Sequence, residues 1–227
     1  MRSNKSYPEL ISLHIPKTAG TSFRNILKNV YGADQVVRFD INEKREVKVN
    51  EVPFTQKGLP AVKVIHGHFS YESLKEIFAL PPGFKLITWM RHPAKRVISN
   101  FYYLESRLAE LLDEERNGLN ILSKMQRTLI EYSRAEINRN RQAKFLRGSR
   151  LTDFDFVGIH EHFPDELSRL GRILNWKQQP ETLFQNKTPR KDQPHPPDLL
   201  HEIEELNKDD MALYEEALRI RKKALEQ

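Results

Sequence analysis

The run LISLHIPKTAGTSFRNIL, residues 10–27, sets the tightest limit on what this chain can fold into. It passes from a short apolar segment rich in β-formers, through a Pro-Lys-Thr-Ala-Gly-Thr-Ser turn, into a segment whose Phe23, Ile26, Leu27 and Val30 recur at helical spacing until Tyr31-Gly32 ends it. The pattern predicts strand, loop and helix, with Thr21 or Ser22 as the helix cap. In the loop, Gly20 permits close backbone approach, successive amides can face one concavity, and the helix start adds partial positive charge, which together suit an oxyanion. Lys17 supplies a mobile full charge, and Thr18, Thr21 and Ser22 supply hydroxyl donors. The lysine stands at the start of the turn, whereas an ordinary nucleotide triphosphatase loop, G-x-x-x-x-G-K-[ST], has it at the end. The plainer alternative is a strand-to-helix turn carrying an exposed lysine.

Further strands are predicted at 62–66 (VKVIH) and 84–90, with a helix over 71–80 between them that Pro81-Pro82-Gly83 terminates. Pro93 suits the first turn of a helix whose Val97, Ile98, Phe101, Tyr102 and Leu104 form an apolar face. Residues 108–147 read as one long polar helical region, 154–159 as a fourth strand, 164–174 as a helix, and the C-terminus as two helices broken near 207–209. Residues 32–61 fit no regular element well and read as an irregular excursion or hairpin. Strands alternating with helices imply an α/β fold, a mainly parallel sheet covered on both faces, with ligands at the carboxyl ends of its strands.

The chain has 227 residues, 38% of them hydrophobic, enough for a core of normal size, and the expectation is a single domain over 1–227. A balance of 37 basic to 31 acidic residues, +6 overall, suggests an anionic partner but falls short of a dedicated nucleic-acid binder. With no cysteine, disulfides, thiolate metal sites and a cysteine nucleophile are excluded, and a reducing compartment is mildly favoured. No window approaches the ~18 apolar residues of a membrane span, so a soluble, cytoplasmic protein is expected.

A second motif, TWMRHPAKRVISNFYY, ends a strand at Arg91 and begins a helix at Pro93. Arg91 can hold a phosphate bidentately and Ser99, nearly two turns into the helix, can add one bond. On its own the pair is unremarkable, and the arginine reads more readily as half of a surface ion pair. Taken together, HIPKTAGTS and RHPAKRVISNFYY resemble the 5′-phosphosulfate loop and the 3′-phosphate motif of the sulfotransferases, in particular the branch with carbohydrate and heparan 2-O-sulfotransferases. The resemblance implies a P-loop-NTPase-like fold and 3′-phosphoadenosine 5′-phosphosulfate (PAPS) as donor. Lys17, Thr18, Ala19, Gly20, Thr21 and Ser22 would surround its phosphosulfate, and Arg91 and Ser99 would hold its 3′-phosphate. The displaced lysine then makes sense, because a sulfuryl group carries less charge than a terminal phosphoryl and needs no bridging magnesium. No metal is expected.

VIHGHFSYESL places His66 and His68 two residues apart at a strand end, so both can face one side. HGHFSY resembles the active-site segment of the 2-O-sulfotransferases, where such histidines serve the acceptor. His68 is the candidate general base, and His66 positions the acceptor or shares the task. Two alternatives stand: ordinary packing histidines, or a metal site assembled from this pair and His160 with His162.

Glu161 reads as a structural carboxylate, and His14 and His92 as structural neighbours of the two motifs. Phe101, Tyr102 and Tyr103 read as packing residues before adenine-stacking ones. Asn186, Thr188 or Arg190 would reach the nucleotide by analogy with a late cofactor loop. Arg139, Arg141, Lys144, Arg147 and Arg150 suit an anionic glycan as well as they suit a solvated helix face. The resulting expectation is sulfuryl transfer to a hydroxyl, with a nucleotide sulfate donor, a carbohydrate acceptor that is possibly an anionic glycan, and no nucleic acid. The rivals are a magnesium-dependent nucleotide kinase on the same fold and a non-catalytic binder of anionic glycan or nucleic acid.

Overall fold

A computed structural model describes residues 8–114, 128–178, 180 and 194–226. Seven strands form one sheet in the order β4-β3-β2-β5-β1-β6-β7. These are β1 (Leu10–Leu13), β2 (Val36–Ile41), β3 (Val47–Val49), β4 (Val52–Pro53), β5 (Val64–Gly67), β6 (Lys85–Met90) and β7 (Phe156–Ile159). β2, β5, β1, β6 and β7 run parallel, and β3 and β4 add an antiparallel edge. The chain leaves β1 for β2 on one side and later returns to β6 on the other. A crevice therefore opens beyond the carboxyl end of β1, between the ends of β5 and β6, which is where open α/β sheets bind ligands.

β1 is buried at all four residues because both faces of the sheet are covered. One face carries Phe23, Ile26 and Leu27 of α1 (Gly20–Tyr31), followed along the sheet by Phe163, Leu167 and Leu170 of the helix Phe163–Ile173. The other face carries Leu74 of α2 (Tyr71–Ile77) and Tyr214 and Ala217 of the C-terminal helix Lys208–Leu225. In chain order the remaining helices are α3 (Pro93–Glu114), α4 (Leu129–Arg134), α5 (Arg141–Phe145) and α7 (Pro197–Glu205), so that Phe163–Ile173 is α6 and Lys208–Leu225 is α8. Each buried aliphatic or aromatic side chain of α1 contributes on the order of 1.5–3 kcal/mol to holding the helix on the sheet.

Three predicted elements differ. The long helix over 108–147 is interrupted: a Thr128–Glu131 capping box starts α4, and Asn140 at φ 48 breaks the path before α5. Residues 32–61 contain β2, an inner parallel strand whose Val37, Phe39 and Ile41 alternate with Arg38 and Asp40. The cap of α1 is Ala19, with no side-chain bond to the helix, instead of Thr21 or Ser22.

Gly67 at the end of β5 is required by the closeness of β2. A Cβ there would lie 1.8 Å from the Phe39 carbonyl oxygen. Gly67→Ala is expected to force the strands apart and cost about 1–3 kcal/mol, read as a lower denaturation midpoint. Gly58→Ala, whose Cβ meets nothing within 4 Å, is expected to stay within about 0.5 kcal/mol of the parent.

Candidate active site

The loop after β1 turns through left-handed conformations at Lys17 (φ 73) and Ala19 (φ 72) and delivers α1 with Gly20 as its first residue. No side chain caps α1 and its first turn holds no acid, so the helix start presents its partial charge toward the crevice. Thr18 is fully buried and donates its hydroxyl to the Ile15 carbonyl at 2.8 Å, bracing the loop from beneath. Thr21 is exposed and Ser22 buried. The Lys17 ammonium lies 3.9 Å from the centre of the Tyr103 ring on α3, a cation–π arrangement. Tyr103 is 43% exposed, so it is not the packing residue expected of it.

Arg91, directly after β6, is buried, and its Nη1 donates to the Lys17 carbonyl at 3.0 Å. Its backbone is held at both polar atoms by the Gln142 amide, which accepts from Arg91 N–H at 3.0 Å and donates to Arg91 C=O at 2.9 Å. Asp210 of α8 in turn accepts from the Gln142 and Ala143 amides at 3.1 and 2.8 Å. Burial lowers the Arg91 pKa to about 10, against the pull of the nearby Glu161 charge, so it stays cationic at neutral pH. Its Nε is buried without a partner among the described residues. Ser99 is buried on α3. Glu161 accepts from the His92 amide at 3.0 Å and the Tyr214 hydroxyl at 3.1 Å, which makes it the structural carboxylate expected.

Register places Ser12 of β1 beside His66 of β5, and the His66 Nδ1 lies 2.9 Å from the Ser12 hydroxyl. His14, one pleat on, stacks against His66 with ring centres 5.1 Å apart and also touches His68 at 4.9 Å. The His14 ring fills the space next to Gly20, where a Cβ would come within 2.0 Å of its Nε2. Hence the phosphate-type loop, His14 and the histidine pair form one continuous wall. His68, whose side chain is 34% exposed, contacts Asp40 of β2: its backbone N–H and its Nδ1 both lie at Asp40 Oδ1, at 3.0 and 2.9 Å. Asp40 Oδ2 is ion-paired with Arg38 at 2.7 Å, and Arg38 with Glu51 at 2.5 Å. Burial pushes the Asp40 carboxyl up, but the two His68 hydrogen bonds and the His68 and Arg38 charges outweigh it and hold it below the ordinary carboxylate value. The Phe145 ring on α5 lies 6.3 Å from His68, with the Arg141 guanidinium 5.4 Å from its centre.

His160 and His162 follow β7, three strand positions from β5 and so ~14 Å away, which separates the two pairs as joint metal ligands. Among the described residues no cluster of histidine, aspartate and glutamate is arranged to hold a metal ion. Asn186, Thr188 and Arg190 lie outside the described residues. Of the basic group, Lys144 is turned to the Glu136 carbonyl at 2.9 Å and Arg150 to Asp153 at 3.2 Å. Sequence reasoning missed Asp40, the place of His14 in the wall, and the Gln142–Asp210 brace. The alternation in VVRFDI was the available signal for β2, and hence for Asp40.

An α/β sheet with an anion-type loop beside a buried arginine is an arrangement suited to a phosphorylated ligand. The sequence model of the sulfotransferase family matches residues 2–215, and the chain belongs to that family. It is therefore an enzyme that moves a sulfuryl group from PAPS to an acceptor hydroxyl. Similar solved structures include a sulfotransferase from Alicyclobacillus acidocaldarius, 15% identical over 93% of this chain and 96% of that one, TM-score 0.43. Mouse sulfotransferase SULT7A1 complexed with PAP is 12% identical over 97% of this chain and 89% of its own, TM-score 0.49. No curated protein matches the sequence. No helix among the described residues is long and apolar enough to cross a membrane.

The buried His66 imidazole, with the partly buried His14 and His92, predicts an acid-sensitive fold. Burial, ahead of the neighbouring His68 charge, lowers His66 from 6.5 to about 3, and burial likewise lowers His14 and His92. A depressed folded-state pKa means that the unfolded chain binds the extra proton, so the stabilisation is complete above about pH 6.5 and is lost toward pH 3. His66 alone gives a slope of ~1.4 kcal/mol per pH unit inside that window. Denaturant unfolding at pH 7.5, 6 and 5 should show stability falling monotonically, and a flat profile would contradict neutral buried rings.

Proposed function

We propose that the chain sulfates a hydroxyl of an anionic carbohydrate, with His68 as general base and Lys17 as the cation at the transferred group. One observation carries this: the His14 ring bridges Gly20 of the donor loop and His68, so base and loop stand a single imidazole apart. In-line transfer needs the attacking hydroxyl between the two.

The residues present fit PAPS. Uncapped amides at the start of α1, the Lys17 ammonium and the Ser22 and Thr21 hydroxyls suit the 5′-phosphosulfate, with Ala19 and Gly20 lining it. Arg91, with a buried Nε that has no hydrogen-bond partner among the described residues, and Ser99 suit the 3′-phosphate. The donor supplies an activated sulfuryl group. His68 takes the acceptor proton at Nε2 as the acceptor oxygen bonds to sulfur, and Lys17 neutralises the charge left on the phosphate oxygen as the S–O bond breaks. The product nucleotide is adenosine 3′,5′-bisphosphate. His66 is buried, tied to Ser12 and uncharged, so it serves as the wall that seats His14 and leaves the proton transfer to His68.

Arg141 supports an anionic acceptor. It lies on the Phe145 ring, which abuts His68, and has no carboxylate partner among the described residues. An acceptor whose hydroxyl reaches His68 would lay an adjacent carboxylate or sulfate against this guanidinium. A 2-O-type sugar hydroxyl, suggested by HGHFSY, is the specific form of the proposal.

Turnover of radiolabelled donor on a panel of saccharides tests it. Lys17→Ala should abolish transfer. His68→Ala should lower kcat by about 10²–10⁴-fold while donor affinity, read by thermal shift, is retained; full activity would remove His68 as base. Arg141→Ala should raise KM for a uronate-bearing or sulfated acceptor by roughly tenfold and leave a neutral sugar unchanged. Equal loss on both acceptors would count against charge recognition.

A further inference from the structure

We infer that Asp40 is a positioning residue for the base: its carboxylate fixes His68 in the tautomer that leaves Nε2 free to accept the acceptor proton. This rests on the assignment of His68 as base. An ionised carboxylate can only accept hydrogen bonds, so an oxygen 2.9 Å from Nδ1 requires the proton on Nδ1. The neutral ring then carries its lone pair on Nε2. The same oxygen also accepts the His68 backbone N–H at 3.0 Å, so backbone and ring are fixed by one atom.

Asp40 is itself held from behind. Arg38, two residues earlier on the same face of β2, pairs with its other oxygen at 2.7 Å, and Glu51 beside β4 balances Arg38. Lateral placement comes from the backbone. The Ile41 amide donates to the His68 carbonyl at 2.9 Å, and only a glycine at 67 lets Phe39 come so close. β2 therefore delivers the carboxylate to the ring at a fixed separation, an orientation that a side chain on a loop would not hold as tightly.

The charged and titratable groups around His68 come from four elements. They are Arg38 and Asp40 on β2, His14 after β1, His66 on β5 and, across the Phe145 ring, Arg141 on α5. Of these, Asp40 alone bonds the ring. When His68 takes a proton, the imidazolium meets an adjacent anion where it would otherwise face only cations and neutral rings. Asp40 thus acts both on the tautomer before transfer and on the charge after it.

Asp40→Asn keeps an oxygen that can accept both the His68 N–H and the Nδ1–H but removes the negative charge, whereas Asp40→Leu removes the acceptor as well. The expected result is a fall in kcat of roughly ten- to a hundredfold in Asp40→Leu and a smaller fall in Asp40→Asn, with KM for donor unchanged in both and partial recovery in Asp40→Glu; loss of the Arg38 ion pair lowers the melting temperature of both variants. Side-chain nitrogen-15 NMR of the parent protein should show His68 protonated at Nδ1, with the Nε2 tautomer gaining population in Asp40→Leu. A parent protein with His68 protonated at Nε2, or an Asp40→Leu variant with full kcat, overturns the inference. The NMR result needs no turnover: if the parent protein transfers no sulfate to any acceptor while His68 is protonated at Nδ1, the functional proposal fails and only the assignment of the His68 tautomer by Asp40 stands.

Discussion

The contact between the His14 imidazole and the backbone at Gly20 determines how the rest of the site is arranged. With a ring atom where any Cβ at position 20 would have to sit, the donor-type loop rests on an aromatic surface continuous with His66 and His68. Rings stacked so closely cannot all be charged. Burial keeps His14 and His66 neutral, and Ser12 and the Gly20 backbone satisfy His66. The positive potential at the loop is therefore concentrated in Lys17, Arg91 and the first amides of α1, where an anion would be held. Under the proposed function, the partly exposed His68 is the ring that exchanges a proton with the acceptor.

The opposite side of the crevice is held from much farther along the sequence. Asp210 of α8 bonds the first amides of α5, Gln142 of α5 clasps both backbone atoms of Arg91, and Arg91 reaches the Lys17 carbonyl. A buried guanidinium is costly unless its orientation is enforced. Here the enforcement comes from a neutral amide on the backbone, with the Glu161 charge nearby, and no carboxylate among the described residues pairs with the Arg91 guanidinium directly. Asp210 is fully buried, and desolvation raises its pKa against the two amide bonds and Arg96. The C-terminal helix thus belongs to the donor side of the site although it carries none of its motifs.

The parts legible in the sequence were those whose chemistry is local. The strand, loop and helix at 10–27, the Arg91 strand end and the His66–His68 pair are each written in one short continuous stretch, and the order of turn and helix fixes their geometry. What escaped depends on pairing across the sheet. Asp40 has meaning only once β2 lies beside β5, and β2 was read as part of an irregular stretch because its flanking turns obscured a clear period-two pattern over 36–41. Tyr103 was assigned to packing by its place in FYY, yet α3 turns it outward over Lys17. Glu161 was legible as a structural carboxylate, although its partners His92 and Tyr214 were not.

This split between local and long-range parts has a functional consequence. The proposed donor loop is built from consecutive residues and their backbone amides, steadied by the His14 ring at Gly20 and the Arg91 bond to the Lys17 carbonyl. The proposed acceptor side is assembled from single side chains on β2, β5 and α5: Asp40 is placed by Arg38, His68 by Gly67, and Phe145 with Arg141 by the Asp210 brace, which also holds Arg91 through Gln142. On that assignment a change at the root of α5 reaches both ligands, and the pairing of Asp40 with His68 is needed whatever hydroxyl is presented.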